Sequence, residues 1–210
     1  MTRPRAIVFD LGNVLLDFDY GIALERILPR VRLGLEELRR WFTQSPLLLE
    51  YETGRLTSPA FFEQVKSATG FSGGYAEFGE LFVDIFSEIP AMVALHQEVR
   101  DRGFPTYILS NTNELTIQYI RRCFPFFSRF DGYVLSYEHQ AMKPAPRLYE
   151  VAEQLSGWRG SDLFYLDDVP ENVEAGRARG WQAWVHQTPE RSRAALLAAG
   201  VLDHRGDSCV

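Results

Sequence analysis

Five short apolar runs recur along the chain, and each is continuous rather than alternating with polar residues. Continuous apolar runs of this length are typical of strands that are buried on both faces, as in a parallel sheet. Stretches with helical spacing separate the runs, and this alternation predicts an α/β fold with a doubly wound, mostly parallel sheet. The runs are AIVF (6–9), TYILS (106–110), YVLS (133–136), LFYL (163–166) and QAWV (182–185). The helices expected between and after them cover about 92–102, 115–123, 146–155, 172–179 and 189–199.

Residues 17–90 break this rhythm. They carry helical patterns, such as SPAFFEQVKSATG (58–70), and no run that predicts a strand. The Ser-Pro pair that opens this pattern is a favourable helix start, because serine caps a first turn and proline fits within it. We therefore predict an α-helical domain at 17–90, inserted after the first strand of a core domain that is formed by 1–16 and 91–210.

Composition and charge narrow the classes of partner. The chain has 210 residues, 46% of them hydrophobic, and a formal net charge of −6. An acidic protein of this kind is not expected to bind nucleic acid or a membrane. A small anionic substrate is compatible with this net charge, because a local cluster of donors outweighs a distant net charge.

Cys123 and Cys209 fit no metal-binding spacing, so we expect reduced thiols. The first apolar run reaches Asp10 after four residues, too short for a signal peptide or a spanning helix, so we expect a cytoplasmic protein.

Polar residues with related chemistry stand at the predicted ends of the strands. Since the carboxyl ends of parallel strands form one edge of a sheet, where ligands bind, we expect these side chains to meet. Each one alone is explained as well by a helix cap, a turn or a solvated lysine. Their joint occurrence indicates a site. They are Asp10 after the first strand, Ser110 and Asn111 after the second, Asp167 and Asp168 after the fourth, and Lys143 before the helix near 146.

The chemistry that this set favours is phosphoryl transfer with Mg²⁺ as cofactor. Clustered carboxylates repel one another unless a cation holds them, and Mg²⁺ takes oxygen ligands from one or two carboxylates, waters and a phosphate. Asp10, Asp168 and a backbone carbonyl near Gly12 suit that ion, and Asp10 can then attack phosphorus. Ser110, Lys143 and backbone N–H groups at the next helix start are the candidates to bind phosphate oxygens.

Four segments that contain these residues resemble, in the same order, the four motifs of the haloacid dehalogenase (HAD) superfamily. The resemblance covers essentially the whole chain, because the insert at 17–90 lies where the family carries a helical cap domain. It implies a Rossmann-like core, a mobile cap over the site, dependence on Mg²⁺ and an aspartyl-phosphate intermediate. The segments are FDLGNVLLDFD with Asp10, ILSNTN with Ser110, MKPAPRLYE with Lys143, and FYLDDVPENVEAG with Asp167 and Asp168.

By position in those motifs, the resemblance implies a role for each residue. Asp10 is implied to be the nucleophile, and Lys143 is implied to assist catalysis at the phosphate. The implied metal ligands are Asp10, the Gly12 carbonyl, Asp168 and, either directly or through water, Asp167. The implied substrate contacts are Ser110, Asn111 and Lys143, with Asn172 in support or simply exposed in a first helical turn.

Gly12 departs from the pattern of most phosphatases of the superfamily. Those carry a second aspartate at this position, which protonates the leaving oxygen and later activates water. General acid–base catalysis contributes about 10²–10⁴-fold, so its absence is serious without abolishing activity. FDLGNV, LSNTN and MKP resemble a branch that includes bacterial α-D-glucose-1-phosphate phosphatases and also carries glycine here. Asp17 or Asp19 could supply a proton instead, although we favour solvated turn residues. The missing aspartate argues against a phosphoglucomutase-type enzyme.

The sequence thus predicts a Mg²⁺-dependent phosphatase of a small phosphorylated metabolite, for example a sugar phosphate. Two alternatives stay open. A haloacid dehalogenase needs no metal, so EDTA would leave it active, and a degenerate binding protein has Gly12 as its only support. The sequence does not decide between a monomer and a homodimer. The insert is expected to select the substrate, and its candidate contacts are Tyr20, Trp41, Tyr51 and Glu52.

Overall fold

The computed structural model describes residues 2–203, which form seven strands and eleven α-helices. The strands are β1 (Ala6–Phe9), β2 (Leu16–Phe18), β3 (Phe86–Glu88), β4 (Thr106–Ser110), β5 (Gly132–Leu135), β6 (Leu163–Asp167) and β7 (Gln182–Val185). The helices are α1 (Tyr20–Ile27), α2 (Leu35–Gln44), α3 (Leu47–Glu52), α4 (Ser58–Thr69), α5 (Tyr75–Val83), α6 (Pro90–Asp101), α7 (Glu114–Cys123), α8 (Ser136–His139), α9 (Pro146–Ser156), α10 (Pro170–Ala178) and α11 (Pro189–Ala198).

The predicted doubly wound α/β fold is confirmed. Five strands form one parallel sheet in the order β5-β4-β1-β6-β7, so the first strand lies at its centre. Successive side chains of a strand point to opposite faces. In β1, Ile7 and Phe9 belong to one buried apolar cluster, and Ala6 and Val8 belong to another. Helices cover both faces of the sheet, which explains why the strands read as continuous apolar runs.

A helical insert, which comprises α1 to α5, follows the first strand and has a third apolar cluster of its own. The rings of Phe78 and Phe82 stack at its centre, with centroids 5.5 Å apart. The insert docks on α7 of the core. There, Arg122 Nη2 donates to both carboxylate oxygens of Glu80 at 3.0 Å.

The prediction that residues 17–90 carry no strand is wrong. Strands β2 and β3 pair antiparallel as a short ribbon at the joint between insert and core, with Phe18 opposite Phe86. Strands of three residues are too short to show an alternating pattern, and their pairing partners come from opposite ends of the insert. The predicted boundary at residue 17 falls inside β2, and the division into two domains at these bounds stays a prediction.

The structure bears in part on two further expectations, which concern the cysteines and a membrane-spanning helix. Cys123 is a free, exposed cysteine, whereas Cys209 and the rest of 204–210 lie outside the described residues. Throughout residues 2–203, every helix falls short of the length and apolar character that crossing a membrane requires.

Candidate active site

The carboxyl ends of the central strands open into a cavity of about 300 Å³ that is roofed by the helical insert. Five of the residues predicted for the site line it, although they come from widely separated parts of the chain: Asp10, Gly12, Ser110, Asn111 and Lys143. The insert contributes Tyr20, Leu48 and Glu52 to the same wall, and the ribbon contributes Phe18 and Phe86. Strand order has thus brought the predicted residues to one edge of the sheet.

Lys143 forms the electrostatic centre of this cavity. Its Nζ lies 2.8 Å from Asp10 Oδ1 and 2.6 Å from Asp167 Oδ2, and its side chain is 2% exposed. Burial would lower the pKa of Lys143, but the two carboxylates outweigh burial and raise it, so the ammonium stays charged. A buried cation held between two carboxylates is a fixed point charge facing the cavity.

Asp167 holds the Lys143 ammonium through their ion pair. Burial would raise the pKa of Asp167, but the Lys143 ammonium and several hydrogen bonds together lower it. Besides Lys143, its carboxylate accepts from the Tyr165 hydroxyl, from Val169 N at 2.8 Å and from Asn172 Nδ2 at 3.0 Å. Asp167 is fully buried, and this shell of donors holds its carboxylate in one orientation.

Asp10, Asp167 and Asp168 form an acidic cluster in which one carboxylate oxygen of each residue lies within 4.8 Å of the others. Such oxygen donors fit a hard divalent cation. Burial raises the pKa of Asp10 to about 7, against the opposing effect of Lys143. Asp168 accepts a hydrogen bond from Asn13 Nδ2 at 2.9 Å. Asn13 reaches it from a left-handed backbone conformation, with φ 54°, which asparagine tolerates better than most residues.

Asn111 secures the backbone of Lys143. Its Oδ1 accepts from Lys143 N at 2.7 Å, and its Nδ2 donates to Lys143 O at 3.1 Å. The amide group therefore positions the lysine, and the predicted contact between Asn111 and substrate stays a prediction. Ser110 ends β4, is buried, and lines the cavity on the same side.

The N-terminus of α7 also faces the cavity. Asn113 caps this helix by accepting from Thr116 N at 3.0 Å. Among the buried side chains that the structure describes, Thr112 Oγ1 and Asn113 Nδ2 have no hydrogen-bond partner, and both residues line the cavity. Buried polar groups are seldom left without a partner, and helix N-termini attract anions. These two groups are therefore ready to bind a polar, anionic ligand.

Sequence reasoning overlooked the residues that orient the predicted ones. Asn13 and Tyr165 hold Asp168 and Asp167, and Asn113 adds a polar group to the wall. Asn13 and Asn113 both lie inside the quoted motifs, which was the one available signal. Tyr165 lies within an apolar strand run, where a buried tyrosine is ordinarily a packing residue.

The four candidate substrate contacts of the insert separate into two pairs. Tyr20 and Glu52 line the cavity, and the Tyr20 hydroxyl donates to Glu52 Oε1 at 3.2 Å. Tyr51 is buried in the core of the insert, stacked on Phe61 with ring centroids 4.3 Å apart. Trp41 packs edge-on against its neighbour on α2 and lies outside the cavity lining.

Comparison with known proteins gives a consistent result. The model of the haloacid dehalogenase-like hydrolase family matches residues 4–180. A D-ribitol-5-phosphate phosphatase of Bacteroides thetaiotaomicron is 25% identical over 191 residues, covering 86% of this chain and 90% of that protein. The phosphatase MT3486 of Mycobacterium tuberculosis is 27% identical over 212 residues, covering 91% of each. A HAD-family enzyme of Bacteroides thetaiotaomicron, crystallised with magnesium and inorganic phosphate, superposes with a TM-score of 0.78 at 20% identity, covering 88% of this chain and 94% of that one.

Proposed function

Because this chain belongs to the haloacid dehalogenase-like hydrolase family, we propose that it is a Mg²⁺-dependent phosphatase of a small phosphorylated metabolite. One observation carries the proposal: the Lys143 ammonium lies between Asp10 and Asp167, at the wall of a cavity that the helical insert covers. This arrangement supports a proposal in which Asp10 is the nucleophile and Lys143 the cation that binds phosphate, beside the acidic cluster. The curated relatives reported above are named as phosphatases, which supports the same class of reaction.

The nucleophile in this proposal is Asp10. Its Oδ1 accepts hydrogen bonds from Leu11 N at 2.7 Å and from Lys143 Nζ, so we assign the attack on phosphorus to Oδ2. The new bond joins Oδ2 to phosphorus, the bond from phosphorus to the leaving oxygen breaks, and an aspartyl-phosphate results. Water then attacks phosphorus and releases Asp10 and inorganic phosphate.

The phosphate oxygens are held by groups on the core. Lys143 supplies a fixed positive charge, while Ser110 and the N-terminus of α7 supply neutral donors. Asn111 and Asp167 act on the backbone and the ammonium of Lys143, so we assign them to positioning that residue. Removing one preorganised donor of this kind typically costs about 3–4 kcal/mol of barrier.

We further propose Mg²⁺ as the cofactor. Asp10, Asp168 and the Gly12 carbonyl would hold it, with Asp167 close enough to take part directly or through water. A bound Mg²⁺ would neutralise charge on the phosphate during transfer. Asn13 fixes the Asp168 carboxylate for this purpose. In this proposal residues 17–90 form the cap domain, whose Tyr20, Leu48 and Glu52 contact the leaving group.

The experiment is phosphate release from a panel of phosphorylated metabolites, including ribitol-5-phosphate and α-D-glucose-1-phosphate, with Mg²⁺ and with EDTA. Asp10→Asn serves as the inactive variant. Asp17→Asn serves as the matched control, because Asp17 is an exposed aspartate on β2 outside the cavity lining. We expect release that requires Mg²⁺ and Asp10 but not Asp17. Halide release from a 2-haloacid that persists in EDTA, or no release from any compound, would contradict the proposal.

A further inference from the structure

Gly12 has no side chain, so it cannot supply the acid that the resemblance leads one to expect at this position. A side chain at position 12 would also be crowded. A Cβ atom on Gly12 would lie 2.8 Å from Phe18 Cε1, so the Phe18 ring occupies that space. The two acids at the joint do not replace it. Asp19 caps α1 by accepting from Gly21 N at 2.7 Å, and both Asp17 and Asp19 are exposed and outside the cavity lining.

Four titratable side chains line the cavity among residues 2–203: Asp10, Tyr20, Glu52 and Lys143. Asp10 and Lys143 already have roles in the proposed reaction. Of the remaining pair, Glu52 is the carboxyl group, and the Tyr20 hydroxyl donates to it at 3.2 Å. Glu52 belongs to the insert and Asp10 to the core, and both line the cavity. An attack by Asp10 in line with the breaking bond requires the leaving group to lie on the far side of phosphorus from Asp10.

Hydrogen bonds at Glu52 and at the residue before it hold the end of α3 to the core. The Ser136 hydroxyl lies 2.6 Å from the Glu52 carbonyl oxygen, to which it can donate, and it accepts from Thr112 N at 2.8 Å. One residue earlier, the Tyr51 hydroxyl accepts from Leu115 N at 3.1 Å. These bonds join the end of α3 to the loop after β4 and to the start of α7. The core, which carries Asp10, therefore fixes the position of the Glu52 backbone, even though Glu52 lies on a helix of the insert.

The environment of Glu52 suits proton transfer near neutral pH. Burial raises the pKa of Glu52 to about 7, and the hydrogen bond from Tyr20 opposes that rise. Both the acid and the carboxylate are then populated near pH 7, which is the condition under which one group can donate a proton and later accept one.

We propose that Glu52 is the general acid and base of this enzyme, supplied by the helical insert in place of a side chain at Gly12; this rests on the phosphatase function proposed above. In the first step, Asp10 attacks phosphorus, the bond to the leaving oxygen breaks, and the Glu52 proton passes to that oxygen. In the second step, the Glu52 carboxylate takes a proton from water as the water oxygen attacks phosphorus. The bond from phosphorus to Asp10 breaks, and inorganic phosphate and protonated Glu52 are regenerated.

The test compares two leaving groups in Glu52→Gln and in a matched control, Glu50→Gln. Glu50 lies on the same helix and lines a different cavity. One substrate is p-nitrophenyl phosphate, whose leaving group departs as a stable anion. The other is the alkyl phosphate that the wild-type protein hydrolyses fastest. Rapid mixing follows p-nitrophenolate in the first turnover, and circular dichroism checks that each variant folds.

For Glu52→Gln we expect kcat/KM for the alkyl phosphate to fall by roughly 10²–10⁴-fold, while kcat/KM for p-nitrophenyl phosphate changes little. Turnover of p-nitrophenyl phosphate should then begin with a burst of one p-nitrophenolate per active site, because the water step has lost its base. Equal losses with both substrates and no burst would assign Glu52 a binding or structural role and overturn the proposal. Wild-type rates in Glu52→Gln would overturn it while leaving the phosphatase function intact, whereas no phosphate release by the wild type would overturn both.

Discussion

Gly54 allows the insert to pack closely against the core, so replacing it should disturb both stability and the site. A Cβ atom here would lie 1.9 Å from the Tyr137 carbonyl oxygen, and the backbone has φ +68°. The left-handed conformation costs an alanine about 1–2 kcal/mol, and overpacking against rigid backbone typically costs about 1–3 kcal/mol. We expect Gly54→Ala to lower the free energy of unfolding by about 2–5 kcal/mol in total.

Urea unfolding measures this loss, and Gly103→Ala is the matched control. Gly103 has φ +79°, but a Cβ atom there would meet nothing within 4 Å, so this variant reports the backbone cost alone. Gly54→Ala should therefore lose more stability than Gly103→Ala. It should also lose activity on alkyl phosphates, because the shift moves Glu52. If the two variants lose equal stability, the close contact between Gly54 and Tyr137 does not dock the insert on the core.

Three further expectations concern single substitutions. Lys143→Met should lower the free energy of unfolding by about 3–5 kcal/mol, because it leaves buried carboxylates unpaired; a urea midpoint equal to that of the wild type would contradict this. Burial lowers the pKa of His96 to about 4 from 6.5, so the folded protein keeps it neutral while the unfolded chain takes up a proton. The contribution of His96 to the free energy of unfolding should then fall by about 2 kcal/mol from pH 7 to pH 5. The difference in free energy of unfolding between the wild type and His96→Phe should change by that amount over this range, and a difference that does not vary with pH counts against it. Gly12→Asp should not raise kcat for alkyl phosphates, because the Phe18 ring fills that space; a large gain in kcat would show that the ring moves aside.

The sequence was sufficient for the centre of the sheet because β4, β1 and β6 are buried along their whole length. The run AIVF, for example, is fully buried in β1, and no polar residue interrupts its pattern. The ribbon could not be found in the same way. β2 and β3 have three residues each and are partly exposed, and their pairing depends on how the insert folds between them.

The residues of the candidate site also fall into two groups, those whose meeting the sequence could predict and those for which it could not. The residues at strand ends could be predicted to meet, because parallel strands bring their ends to one edge. The position of Glu52 could not be derived in this way. It depends on the docking of α3 through Tyr51, Ser136 and Gly54, and these are contacts between segments that no local pattern relates. Glu52 was accordingly expected only as one of several substrate contacts.

If Asp10 carries the phosphoryl group during turnover, as proposed, the phosphorylated protein can be trapped. The protein is mixed with p-nitrophenyl phosphate and Mg²⁺, quenched in acid within the first turnover, and digested for mass spectrometry. We predict one added phosphoryl group on the peptide that contains Asp10, absent in Asp10→Asn. Release of phosphate in the steady state with no such adduct, or an adduct on another residue, would show that Asp10 is not the nucleophile.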